Sequence, residues 1–523
     1  GAPIKIDQLN ADILRSFSCA SPGTGDTYTL HLIVCNGQQC TNTVLVPGLD
    51  LTSAKLASLY CSQPRKHSCP RDSRCNNCVG ASPGGGVSAG GDGPGVGPDD
   101  GGPGADFWYA AGGAGGPGFP GSAAWNAALG RYWSHDYAMK IVMDLDNNNN
   151  HVWLITPYAT FREFSSRNVS TNRYDAVSPS DEKRGLYFVP GTSGWELQEL
   201  DGSVHVFDSS GKWASTRDRH TSVQKVATYN GSNQLTTVTM PDGRSESFTY
   251  APSGKLATIT EVGVPGAASR QWTYTWSGDD LSTTLRPDAS YWELQYSEAN
   301  HPGYMTRMDL VTSTGTHRVM GGWEYDSVGN VVKSWKGDVA FTGPNAVDRL
   351  TYDWTNPLLP TQLVVTDALI PATISTYVIE RDSNSTKPKV RSISGDCPIC
   401  GAGPNSRYDY TDTANPLLPT RITDGLGKKT DFAYDANGLL TARTEAAMST
   451  MARTTAWIFG NSSYPGLVTQ IDRPSTAGGS FVRRTEYILN ANGDPTTIRE
   501  SGREGGVGFS YDTVYTYNDA GMV

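Results

Sequence analysis

YDSVGNVVKSW, residues 325–335, and YDANGLLTART, residues 434–444, are the two stretches from which the fold is read. Each sets an aromatic ring, an acid next to it, a glycine four residues after the ring, and then a run of Val, Leu and Thr. The physical reading is a β-hairpin. Tyr325 or Tyr434 ends one strand with its ring on the sheet and its hydroxyl at a polar edge. Asp326 or Asp435 accepts hydrogen bonds from turn amides, and Gly329 or Gly438 supplies the positive φ that the reversal needs. The β-branched and aliphatic residues then start the returning strand. A shorter copy, YNDAGMV from Tyr517, repeats the spacing with Gly521.

Outward from these copies the same texture continues. Taking one aromatic per unit gives Phe207, Tyr229, Tyr250, Trp276, Tyr296, Tyr325, Tyr352, Tyr377, Tyr410, Tyr434, Phe459, Tyr487 and Tyr517, spaced about 26 residues apart on average. A repeat of that length is one supersecondary unit that buries its apolar face by stacking on its neighbours. A second internal echo is NPLLPT, at Asn356 and again at Asn415. Tyr (25), Trp (13) and Gly (58) are abundant and amphipathic helical patterns are scarce, so the reading is an all-β chain of stacked hairpins. Its 523 residues exceed the roughly 250–300 at which one core stops growing, as a repeat array would.

These residues resemble the RHS/YD-repeat family, which includes bacterial rearrangement-hotspot proteins, toxin-complex shells and teneurin-like β-shells. The likeness extends beyond the Tyr-Asp pair. LGRYWSHDYAMKIVMD (129–144) is similar to the segment that precedes the repeats in bacterial members, and the stretches 199–220 and 237–260 resemble first repeats. The resemblance implies a β-sheet strip wound as a spiral into a hollow cocoon that holds a cargo, often the protein's own C-terminal toxin, or acts as a surface scaffold. Two features depart from it. The Pro-, Asp- and Gly-rich closing segment with its self-cleaving aspartyl protease is missing, and the chain stops inside a repeat at YNDAGMV, which implies a longer protein.

Upstream, the chain divides into a Cys-rich head (1–78), a Gly/Pro-rich connector (79–126), the lead-in to the repeats (127–206) and the YD-repeat shell (207–523). In the head, Asn36-Gly37 reads as a hairpin turn and residues 50–60 as a short helix. The stretch 80–121 holds 18 Gly and 6 Pro in 42 residues, and Phe107, Trp108, Tyr109, Phe119 and Trp125 are its candidate anchors. Cys19, Cys35, Cys40, Cys61, Cys69, Cys75 and Cys78 crowd the head, with Cys397 and Cys400 among the repeats. This usage reads as disulfides or crosslinks in an oxidising, extracellular or cell-surface place, and the odd total of nine leaves one thiol over. The two CxxC pairs also have zinc-knuckle spacing, although more than 300 residues separate them.

No residues read as catalytic, cofactor-binding or metal-binding. The eight histidines are scattered, with no HExxH, and no GxSxG occurs. Ser134-His135-Asp136 invites a triad, but triads are defined by geometry rather than adjacency, and the stretch reads as structural. Asp144–Asn150 starts like a calcium loop yet has Asn149 and Ile155 where the motif needs Gly and Glu. A net charge of −10 argues against nucleic-acid binding, and no apolar run is long enough to span a membrane as a helix. The function read from this is a secreted or surface shell, not an enzyme, that encloses or displays a C-terminal effector. The alternative is a subunit of an extracellular filament or adhesin, joined to neighbouring copies through the head and connector by β-augmentation.

Overall fold

The computed structural model describes residues 30–36, 39–46, 107–109 and 128–518, the last range with short intervals left out, among them 144–150, 396–404 and 475–481. Five head cysteines, Cys19, Cys61, Cys69, Cys75 and Cys78, lie outside the described residues. So do Cys397, Cys400, Gly521, the candidate helix at 50–60 and the Asp144–Asn150 loop. The chain divides into two units, 1–67 and 68–523. In the first, strands Leu30–Asn36 and Gln39–Val46 pair antiparallel, which makes Cys35 and Cys40 direct register partners.

The second unit is a wall of β-strands. Among the described residues it has 31 strands in one continuous antiparallel sheet, from Lys140–Met143 to Val507–Val514, and no helix. Every registered pair in it joins sequence neighbours, as hairpin follows hairpin. One bridge, Lys140 to Lys212, ties the first strand back to the start of the eighth, Trp213–Arg217, beside the Ile141 N–H donating to the Gly211 carbonyl at 2.7 Å. Gly211 has no alternative there: at φ +79° a Cβ would lie 2.0 Å from the Ile141 oxygen.

The repeat chemistry is visible bond by bond. The Asp326 carboxylate Oδ1 accepts the N–H groups of Val328 and Asn330, both at 2.9 Å, and Gly329 turns at φ +94°. Asp435 accepts those of Asn437 and Leu439 at 2.8 and 2.9 Å, with Gly438 at φ +73°. The same network recurs around Asp208, Asp424, Asn230 and Asn490. At Tyr229, Tyr250, Trp276, Tyr325 and Tyr434 the register shifts by a bulge as the aromatic enters the turn. A bulge tightens the twist locally and re-aims a side chain.

That re-aimed ring reaches back to the previous unit. The Tyr325 hydroxyl donates to the Met305 carbonyl at 2.6 Å, Tyr434 to Pro419 at 3.0 Å and Tyr517 to Pro495 at 2.9 Å. Tyr229, Tyr250 and Tyr410 bond in the same way to Trp213, Leu235 and Val390. Trp276 and Trp354 substitute an indole N–H, donating to Leu256 at 2.7 Å and to Val331 at 2.9 Å. In strand Val347–Thr355 it is Trp354, two residues beyond Tyr352, that makes this bond, and Tyr352 bonds Ser334 instead. Burial raises the Tyr434 hydroxyl to about 12, so it stays protonated and able to donate. Lysines complete the unit: Lys212 and Lys255, each just after a turn glycine, lie over the next aromatic ring at 4.7 and 5.7 Å, and Lys389 lies over Tyr410 at 4.8 Å.

Candidate functional site

Two structural seams set what the wall can do. The first is made by the start of the lead-in, residues 128–141, which runs across successive hairpins. Leu256 N–H donates to the Ala128 carbonyl at 2.9 Å, and Arg131 N–H donates to the Asp279 carbonyl at 2.8 Å. Gly130 permits that approach: at φ +64° a Cβ would sit 2.1 Å from the Asp279 oxygen. Trp133, fully buried, donates its indole N–H to the Tyr296 hydroxyl at 3.0 Å. Tyr137 stacks on Trp213 with ring centroids 5.3 Å apart, and His135 packs 5.7 Å from Phe248. The connector joins here too, since strand Phe107–Tyr109 pairs with Trp133–His135.

Ser134, His135 and Asp136 are thus set in a packed junction. His135 Nδ1 accepts the Tyr137 backbone N–H at 3.1 Å, which fixes the ring, and burial lowers its pKa to about 3, so it is neutral. The Ser134 hydroxyl is buried with no hydrogen-bond partner. Beside this cluster the Tyr137 hydroxyl donates to Glu246 Oε1 at 3.4 Å, while Oε2 is buried and unpartnered. Burial first, and then the negative charges of Asp136 and Glu261, push the Glu246 carboxyl up to about 8 against the opposing pull of Lys225 and Tyr137.

The second seam lies where late hairpins meet early ones. Lys183 Nζ donates to the Ala414 carbonyl at 2.9 Å across 231 residues. Gly466 N–H donates to the Leu200 carbonyl at 2.7 Å. Asp494, nearly buried, takes Arg219 Nη2 and His220 Nε2, both at 3.0 Å, with 275 residues between Arg219 and Asp494. One circuit of the sheet therefore takes about 230–280 residues. The long NPLLPT-type loop contributes as well, for Asn415 Nδ2 donates to the Asp435 carbonyl of the next turn at 2.9 Å.

Sequence reasoning located the repeat residues but not their targets. The carbonyls of Met305 and Pro419, and Asp494 between Arg219 and His220, carry no signal short of knowing the register. Glu293, Asp309 and His317 are a group whose donor atoms the fold brings within 4.8 Å of one another. Among the described residues no helix is long and apolar enough to cross a membrane.

Residues 418–447, which hold the Tyr434 hairpin, match the family model described as RHS Repeat. No curated protein matches the chain. Among solved structures the chain is similar to a crystal structure of TcdB2-TccC3, at 13% identity over 73% of this chain and 22% of that one, with a TM-score of 0.33. It is also similar to the Photorhabdus luminescens Tc holotoxin pore carrying a TccC3 variant, at 12% identity over 73% and 21%, again with a TM-score of 0.33. A porin-like protein from Bacteroides uniformis matches at 11% identity over 62% and 92%, with a TM-score of 0.12. The chain spans about a fifth of the length of the Tc structures.

Proposed function

From a chain that carries an RHS repeat, we propose that this wall is a section of a secreted or cell-surface RHS/YD-repeat shell that encloses or displays an effector, its own C-terminal cargo. The observation that carries this reading is the second seam, where Ala414–Asp494 lies against Lys183–His220. A sheet that comes round to meet its own start leaves fewer free edges and can partition a volume from solvent. The action is steric: continuous hairpins make the wall, the aromatic-to-carbonyl bonds fasten each unit to the one before, and the lead-in clamps the early units together.

Electron microscopy of the native, full-length secreted protein tests the reading, combined with protease treatment of the proposed C-terminal cargo segment. Discrete hollow particles in which that segment resists cleavage are expected. Regular fibres with the segment cleaved at once would overturn it in favour of an assembly subunit.

A further inference from the structure

Glu293, Asp309 and His317 come from three consecutive strands, Tyr291–Gln295, Arg307–Val311 and His317–Tyr325. Glu293 and Asp309 are direct register partners, so two carboxylates stand side by side on one face, an arrangement that like-charge repulsion disfavours. A bulge between Met308 and Asp309 shifts the pairing with the third strand, and bulges often re-aim side chains at functional positions. His317 Nδ1 lies 3.7 Å from Glu293 Oε2 and 3.8 Å from Asp309 Oδ2. Those gaps are too long for hydrogen bonds. They are close to the spacing of co-ligands, because atoms bound to one zinc at about 2.0–2.2 Å lie roughly 3.3–3.6 Å apart.

The surroundings suit a ligand set. Asp309, with 2% of its side chain exposed, forms the floor, whereas His317 at 51% and Glu293 at 33% leave a path from solvent. Arg307 donates from Nε at 3.0 and 3.1 Å and from Nη2 at 2.7 Å to both Asp309 oxygens, which orients the carboxylate as outer-shell partners orient metal ligands. Each carboxylate oxygen accepts along two directions, so Arg307 fills Oδ2 and the acceptor capacity left on Asp309 is on Oδ1. One imidazole with two carboxylates is a donor set for zinc and its first-row neighbours rather than for calcium or magnesium.

We propose that Glu293, Asp309 and His317 bind a divalent first-row metal ion of the zinc class, which ties three successive strands of the wall together. Calorimetric titration of the full chain with zinc chloride tests this, run beside His317→Ala and Glu293→Gln. His317 is exposed and Glu293 reaches solvent, so the variants should fold. Because the cysteines can also take zinc, the readout is the difference between chains, and cobalt spectra separate thiolate from nitrogen and oxygen ligation. The expected result is one more equivalent of zinc in the parent chain than in His317→Ala, and at least a tenfold weaker site in Glu293→Gln. Zinc should also raise the melting temperature of the parent and not, through this site, that of His317→Ala. Identical titrations of parent and His317→Ala would overturn the proposal and leave His317 as an ion-pair partner of the two carboxylates.

Discussion

Between Lys140 and Asp409 the wall buries seven tryptophans, among them Trp195, Trp213 and Trp323 at 2% exposure or less. Between Arg421 and Val514, by contrast, Ala447 is the one buried apolar side chain among the described residues. The local pattern is the same in both stretches: the Asp326 and Asp435 turns are bonded alike, and Tyr325 and Tyr434 reach back to carbonyls alike. What differs is cover. The early hairpins lie under the lead-in, with Tyr137 on Trp213 and His135 on Phe248. The late hairpins carry cross-strand ion pairs, Arg421–Asp431, Arg484–Asp472 and Arg499–Asp512, on an open sheet. A hairpin pattern makes strands by itself, whereas a core requires a second layer.

Tryptophan truncation breaks the comparison most sharply. Trp213→Ala, in the covered stretch, should cost about 3–5 kcal/mol through the cavity it leaves. Trp457→Ala, half-buried in the open stretch, should cost roughly 1 kcal/mol. Urea-unfolding midpoints of the two variants decide it, and equal losses would mean that the open stretch is covered in solution.

The pH responses should run in opposite directions. Glu246, raised to about 8, is protonated in the fold and ionised near 4.5 when unfolded. Its contribution is complete below about pH 4.5 and is lost as pH rises toward 8. Asp472 and Asp431, lowered by hydrogen bonds from Arg484 and Arg421, contribute above their ordinary value of 3.8 and lose that contribution as pH falls below it. Glu246→Gln should therefore flatten the decline in unfolding midpoint between pH 5 and 8, and Asp472→Asn should leave that interval unchanged.

Smaller effects sharpen what the stretches share. Tyr325→Phe and Tyr434→Phe each remove one hydroxyl-to-carbonyl bond and should each cost about 1 kcal/mol, similar on both sides of the divide. Calorimetric melting of the pair checks this, and a loss confined to Tyr325→Phe would show that the bond matters only under cover. Least of all, Arg484→Ala should cost roughly 0–1 kcal/mol and less still in high salt, which melting with and without added sodium chloride would show.

Much of this protein was legible because its repeat is local. Tyr, Asp and a glycine four residues after the ring dictate a turn through hydrogen bonds and φ preferences that close within five residues, so the all-β class and the hairpin succession follow from Tyr325–Trp335 and its copies alone. Reading one aromatic per unit missed that Trp354 rather than Tyr352 makes the bond in its strand, because which ring meets a carbonyl depends on register rather than composition. Beyond that range the sequence is silent. That Gly130 must be glycine follows from the Asp279 carbonyl, and that Asp494 sits between Arg219 and His220 follows from a full circuit of the sheet. Glu293, Asp309 and His317 converge through strand pairing and a bulge. The sequence by itself determined the strands and turns, whose energies are set by neighbours along the chain. Only the tertiary structure decided which faces are covered and which distant groups meet, because these depend on the accumulated twist and register of many hairpins.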